Sequence, residues 1–236
     1  ANKLVGSNIR FDGVTVTGTE NIMMAATLAQ GVTVLTNVAK EPEIIDLADM
    51  LNSMGADIKG AGTDEITIKG VNELFGTSFT IPADRIEAGT YLVAAAVTNG
   101  SITIDSINPN RLMKVINMIE RSGPKISFDD NSISISMNKD RPDPVDITTA
   151  PFPEFPTDMQ AQFSVINAIS SGVSNIYETV FENRFMHILE LNRMGCDIEV
   201  KGNHAIIKGV ESIYGAEVMA TDLRASASLI LSLIHI

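Results

Sequence analysis

The sequence predicts a mixed α/β fold built from repeated supersecondary units of about 70 residues, and three observations carry that reading. Glycines recur in pairs, Gly31 with Gly55, Gly100 with Gly123 and Gly172 with Gly195, each pair separated by 23 or 24 residues. An apolar run ends just before the first glycine of every pair, at residues 21–30 (NIMMAATLAQ), 91–99 (YLVAAAVTN) and 163–171 (FSVINAISS). Short runs of alternating apolar and polar residues follow at fixed places, and such a period of two marks half-buried strands.

Taken in order, the three apolar runs are apolar almost all round, which suits helices buried on most faces. The second helix of a unit is amphipathic instead. Ile44, Leu47, Ala48, Leu51 and Met54 recur at three- and four-residue spacing, as do Leu112, Val115, Ile116 and Ile119, so one face packs and the other meets water. Strands are expected at residues 32–35, 66–68, 133–136 and 205–207. Thr80-Ile81-Pro82-Ala83 interrupts the pattern and places a domain boundary there, giving domains at 1–82 and 83–236. Residues 140–156 are proline-rich and must run extended until the next helix begins.

Composition narrows the function. With 236 residues, 44% of them hydrophobic, the chain can bury a substantial core. A net charge of −12 supplies no broad positive field for a polyphosphate backbone, so nucleic acid is a poor partner. The most apolar stretch, residues 225–236, is too short to span a bilayer, and no membrane partner is expected. One cysteine, Cys196, forms no internal disulfide, which makes the cytoplasm the default compartment. Its place at a turn into a strand suits a small buried hydrophobe. His187, His204 and His235 lack ligand spacing, so no metal is expected, and no glycine-rich phosphate loop is present.

Polar residues gather at helix starts. Thr157-Asp158-Met159-Gln160 fits a capping box at the head of a buried helix. Asp158 then either complements the helix dipole or serves as a general base or sugar ligand. Thr19-Glu20-Asn21, Asp84-Arg85-Ile86-Glu87 and Thr221-Asp222-Leu223-Arg224 are polar at the corresponding places, and several helix N-termini pointing at one place favour an anion. Glu41, Asn110 and Glu182 open the amphipathic helices. Arg184 and Arg224 are either clamps for a small anion or surface ion-pair partners of Glu182 and Asp222.

Four strings, residues 39–44 (AKEPEI), 155–163 (FPTDMQAQF), 178–187 (ETVFENRFMH) and 219–228 (MATDLRASAS), closely resemble motifs of the UDP-N-acetylglucosamine enolpyruvyl transferases, also called 1-carboxyvinyltransferases. The match covers nearly the whole chain. It implies two inside-out α/β barrels, each of three repeated units, with the active site between them. Residues 1–82 correspond to the last part of the first domain and residues 83–236 to most of the second. The implied reaction moves enolpyruvyl from phosphoenolpyruvate to the 3-hydroxyl of UDP-N-acetylglucosamine through a tetrahedral ketal, releasing phosphate, at the first committed step of peptidoglycan synthesis. Neither metal nor cofactor is implied. By the same resemblance Asp158 meets the attacking hydroxyl, Arg184 and Arg224 clamp phosphoenolpyruvate, and Thr15, Val16 and Val180 line the UDP-sugar site. Gly13 and Phe152 depart from residues seen in some relatives, as do residues 232–236.

The resemblance further implies that the catalytic cysteine loop precedes Ala1, which makes this chain a piece of the transferase. The runner-up is a noncatalytic UDP-sugar-binding protein of the same fold. This chain alone is expected to release no phosphate from phosphoenolpyruvate and UDP-N-acetylglucosamine, and turnover by the purified chain contradicts that expectation.

Overall fold

The structure, a computed structural model, describes residues 3–220 and 223–233. The chain divides into two compact units, one comprising Ala1–Pro82 with Pro151–Pro153, the other Ala83–Ala150 with Glu154–Ile236.

In the first unit the order is β1 (Asn8–Arg10), α1 (Val16–Ala26), β2 (Val32–Thr36), α2 (Pro42–Ser53), β3 (Asp57–Lys59) and β4 (Glu65–Lys69). The strands form one sheet in the order β1-β2-β4-β3, with β1 parallel to β2 and the other pairings antiparallel. Alternation in β2 and β4 sends Leu35, Ile66 and Ile68 inward, where they are fully buried with Met23 of α1 and Ile44 of α2. Pro42 occupies the first turn of α2, where its missing N–H costs nothing.

The second unit holds α3 (Arg85–Val97), β5 (Ser101–Asp105), α4 (Met113–Arg121), β6 (Lys125–Phe128), β7 (Ser132–Ser136), β8 (Ile147–Thr148), α5 (Gln160–Ala168), β9 (Val173–Tyr177), α6 (Met186–Arg193), β10 (Asp197–Lys201), β11 (His204–Lys208) and α7 (Leu223–Leu233). Its strands make two sheets, β5-β7-β6 and β10-β11-β9-β8. Among the described residues every sheet is open and none closes on itself. A single apolar core gathers Leu92, Ile116, Ile133, Phe155, Phe163, Ile176, Leu191 and Ile207. All nine residues of α5 are buried, and the helix packs against α3 and α7. Several of its polar members are bonded from within, Ser164 to the carbonyl of Gln160 and Gln162 Nε2 to the Thr90 hydroxyl. Asn167 both donates to and accepts from the backbone of Val145, each at 3.0 Å, and so fixes the extended segment before β8.

Each amphipathic helix ends in the same way. Gly55, Gly123 and Gly195 stand at φ of 101°, 116° and 95°, the left-handed conformation that glycine alone adopts without strain and that closes helix C-termini. Across two of those turns an asparagine in the last turn of the helix makes a paired bond to the strand that follows. Asn52 grips the N–H and C=O of Ile58 at 2.9 and 3.0 Å, and Asn192 grips those of Ile198 at 3.1 and 2.8 Å. The first-turn glycines likewise accept matching bonds, Gly31 from Gly70, Gly100 from Met137 and Gly172 from Gly209.

The expected strands lie inside β2, β4, β7 and β11, whereas helix boundaries shift. α1 begins at Val16, so Thr19, Glu20 and Asn21 sit within it rather than at its head. α3 begins at Arg85 and is capped by Asp84, whose carboxylate accepts from Ile86 and Glu87 at 2.7 and 3.2 Å. Asn110 and Glu182 precede their amphipathic helices in turns rather than opening them. Thr221, Asp222 and Ile234 to Ile236 lie outside the described residues.

A methyl group added at Gly209 would sit 1.9 Å from the carbonyl oxygen of Ser170, a backbone atom that cannot rotate away. Gly209→Ala is therefore expected to destabilise the second unit by about 2–3 kcal/mol, read as a lowered urea midpoint.

Candidate functional site

The site is built where β9 ends and α5 begins. The expected capping box does not form. Thr157–Met159 make a single 3-10 turn, α5 starts at Gln160 without a side-chain cap, and the Nε2 of Gln160 is buried without a partner. The Thr157 hydroxyl is engaged elsewhere, donating to Glu178 Oε2 at 2.8 Å and accepting from Arg184 Nη1 at 2.7 Å. A competing partner on the adjacent strand end thus outweighs the local cap.

Arg184 lies in the turn between β9 and α6. Its Nη2 donates to Asp158 Oδ1 at 2.6 Å, while its guanidinium lies 5.0 Å from the centre of the Phe181 ring. Arg224, in the first turn of α7, donates through Nη2 to the other carboxylate oxygen of Asp158 at 3.2 Å. One carboxylate thus bridges two guanidiniums. Burial pushes the Asp158 carboxyl up, but the hydrogen bond and charge of Arg184, joined by those of Arg224, hold it below its ordinary value of 3.8. The arginines, more than a helix dipole, account for that depression. All three side chains remain partly open to solvent, at 36% for Asp158, 20% for Arg184 and 26% for Arg224, so an incoming anion can reach the guanidiniums.

Of the residues singled out in the sequence, Asp158, Arg184 and Arg224 are in direct contact. Val180 bonds the adjacent Glu178, its backbone N–H donating to that carboxylate at 2.9 Å, and its side chain is exposed. Thr15 and Val16 belong to the first unit. There Thr15 caps α1, its hydroxyl accepting from Gly18 at 3.2 Å, and Val16 is the first helical residue. Arg184 takes Asp158 as its ion-pair partner, and Asp222, the other candidate partner of Arg224, lies outside the described residues.

Two participants escaped the sequence reading. Glu178 and Phe181 both stood only within the family string at residues 178–187. A glutamate one residue beyond an alternating strand is a usable signal, because a charge so placed is either solvated or supplied with donors by the chain around it. Cys196 is 8% exposed and burial pushes its thiol up to about 12, as a small buried hydrophobe requires. His187 is buried beside Ser164, and His204 stacks on Tyr177 at 4.2 Å. Among the described residues no cluster of His, Cys, Asp or Glu is arranged to hold a metal ion, and no helix is long and apolar enough to cross a membrane.

The architecture has solved counterparts among the enolpyruvyl transferases. The enolpyruvyl transferase NikO from Streptomyces tendae superposes with a TM-score of 0.81 at 24% identity, covering 93% of this chain and 52% of NikO. EPSP synthase from Acinetobacter baumannii superposes with a TM-score of 0.71 at 20% identity, covering 99% of this chain and 57% of that enzyme. The chain belongs to the EPSP synthase (3-phosphoshikimate 1-carboxyvinyltransferase) family, whose sequence profile matches residues 1–234. It is 54% identical over 232 residues to a UDP-N-acetylglucosamine 1-carboxyvinyltransferase from Ruthia magnifica subsp. Calyptogena magnifica, a match covering 98% of this chain and 55% of that relative. The chain therefore spans about half the length of the curated relative it matches.

Because the folded pKa of Asp158 is depressed, its contribution to stability is present above the unfolded carboxyl pKa of about 3.9 and is lost as pH falls through the folded value. Urea midpoints measured across that acidic range are expected to fall for the parent. For Asp158→Asn this part of the fall is expected to be missing.

Proposed function

We propose that the protein containing this chain transfers enolpyruvyl from phosphoenolpyruvate to the 3-hydroxyl of UDP-N-acetylglucosamine with release of phosphate, the first committed step of peptidoglycan synthesis. The observation that carries the reading is the Arg184–Asp158–Arg224 constellation, formed by the same residues that the resemblance to the UDP-sugar branch assigns to the reaction. The 54% identical relative supports the same substrate pair.

The geometry suggests how binding and proton transfer are linked. In this structure Asp158 is a weak base, since two guanidiniums stabilise its charged form. The phosphate and carboxylate of phosphoenolpyruvate compete for those guanidiniums, which bind such groups in bidentate fashion. Each N–H drawn to the substrate is one fewer at Asp158, whose proton affinity then rises when the sugar hydroxyl must be deprotonated. As that oxygen bonds to the central carbon of phosphoenolpyruvate, its proton passes to Asp158 while the terminal methylene carbon takes up a proton from a general acid, the role the resemblance gives to the cysteine loop. The tetrahedral ketal so formed then loses a proton from the new methyl group as phosphate leaves, which restores the double bond. The arginines also stabilise charge on the departing phosphate.

Thr15, Val16 and Val180 line the UDP-sugar side in this reading, with support from the family resemblance. The three helix-and-sheet groups are copies of one building block in the manner of an inside-out barrel, a view supported by the recurring glycine bonds and the paired asparagines Asn52 and Asn192. Residues 1–82 are the last part of one such domain and residues 83–236 most of a second. The reaction needs neither metal nor cofactor, and its sugar nucleotide substrate and the lone cysteine favour a cytoplasmic setting.

UDP-N-acetylglucosamine at a hundredfold excess over its Kd is expected to stabilise the folded chain by about 2.7 kcal/mol, seen as a raised melting temperature. Asp158→Asn should retain most of that rise, since the change removes a base rather than the sugar contacts. Absence of any rise at millimolar ligand argues against the reading, and a rise in a complete protein that turns nothing over points to a binding module instead.

A further inference from the structure

We propose that Glu178 is a positioning residue, whose buried carboxylate fixes the Arg184 guanidinium against Asp158 by holding both of that guanidinium's other supports. Glu178 is 2% exposed, and each of its observed partners donates to it. Oε1 accepts from the Thr149 hydroxyl at 2.9 Å, from Val180 N–H at 2.9 Å and from Phe181 N–H at 3.1 Å, while Oε2 accepts from the Thr157 hydroxyl at 2.8 Å. The Thr149 hydroxyl is itself oriented, because it accepts from Thr179 N–H at 2.9 Å.

Three of these bonds reach Arg184, through two supports. The proton of Thr157 is committed to Glu178, so the threonine oxygen presents a lone pair to Nη1 of Arg184 at 2.7 Å. The bonds to Val180 and Phe181 fix the turn that places the Phe181 ring 5.0 Å from the same guanidinium. Arg184 is thereby held by an oxygen and by an aromatic ring, both organised by one carboxylate, with Nη2 left to meet Asp158. The energetic logic is preorganisation: a long, flexible arginine loses less freedom on gripping an anion when its plane is already set. The polarity of the relay also matters. An amide at position 178 would present a donor to Thr157, leave the threonine proton without its acceptor, and set that proton against the donor-only guanidinium.

The inference deepens the transferase reading and rests on it for catalytic meaning, whereas the test reads side-chain order directly. In the full chain, the Arg184 guanidinium N–H signals are followed by nitrogen-15 NMR, and the Asp158 carboxyl titration by carbon-13 NMR. In the parent the Nη signals of Arg184 are expected to be resolved by restricted rotation. Thr157→Val, close in shape but lacking the oxygen, should collapse them to one averaged signal and raise the Asp158 titration midpoint. Thr157→Ser should restore both. Glu178→Gln should match Thr157→Val, with the backbone amide spectrum reporting whether it folds; if it does not fold, the Val and Ser pair decides. Resolved Arg184 signals and an unmoved Asp158 midpoint in Thr157→Val overturn the proposal. A parent chain that shows this ordering but binds no UDP-N-acetylglucosamine upholds the proposal and defeats only the reading of function.

Discussion

A helix buried along its whole length cannot leave polar atoms to water, and α5 imposes that constraint on the second unit. All nine of its residues are enclosed, and several of its polar groups are met from within, Asn167 by Val145 and the Nε2 of Gln162 by Thr90, while Gln160 Nε2 and Gln162 Oε1 are buried without a partner. At its N-terminal end the same requirement gathers charged groups from distant parts of the chain. Asp158 arrives from the turn before the helix, Arg184 from the loop after β9 and Arg224 from the start of α7. A polar assembly in such a place is stable only when its members satisfy one another.

Electrostatics then gives the assembly its character. A carboxylate between two guanidiniums is well compensated, and its depressed pKa is the signature of that compensation. The three groups also keep some exposure, unlike Glu178 behind them. The arrangement combines a dry, fully bonded anchor with a front that a charged ligand can enter. This division between rigid support and available charge is what a site for small anions needs, because the cost of ordering has been met during folding.

Much of this organisation was legible in the sequence, and the limits have physical causes. Strands were found because alternation is a direct imprint of one-sided burial, as in β4 and β7. The turns after the amphipathic helices were found because their backbone conformation demands glycine, at Gly55, Gly123 and Gly195. Helix starts were displaced because caps compete with tertiary partners: Thr157 was read as capping its own helix and instead bonds Glu178 and Arg184, while Thr15, read only for its place in a ligand site, caps α1. The trio of Asp158, Arg184 and Arg224 was named from residue type and resemblance. Glu178 was missed as a participant, since its role depends on donors that converge only in three dimensions.

The enclosed Cys196 has a practical corollary. Burial pushes its thiol up to about 12, so it stays protonated at neutral pH. Since this is the chain's sole cysteine, the background to maleimide or iodoacetamide chemistry is close to nil. A cysteine introduced on an exposed strand edge or loop becomes the one reactive handle, so spectroscopic labels can be attached without first removing the native residue from the core.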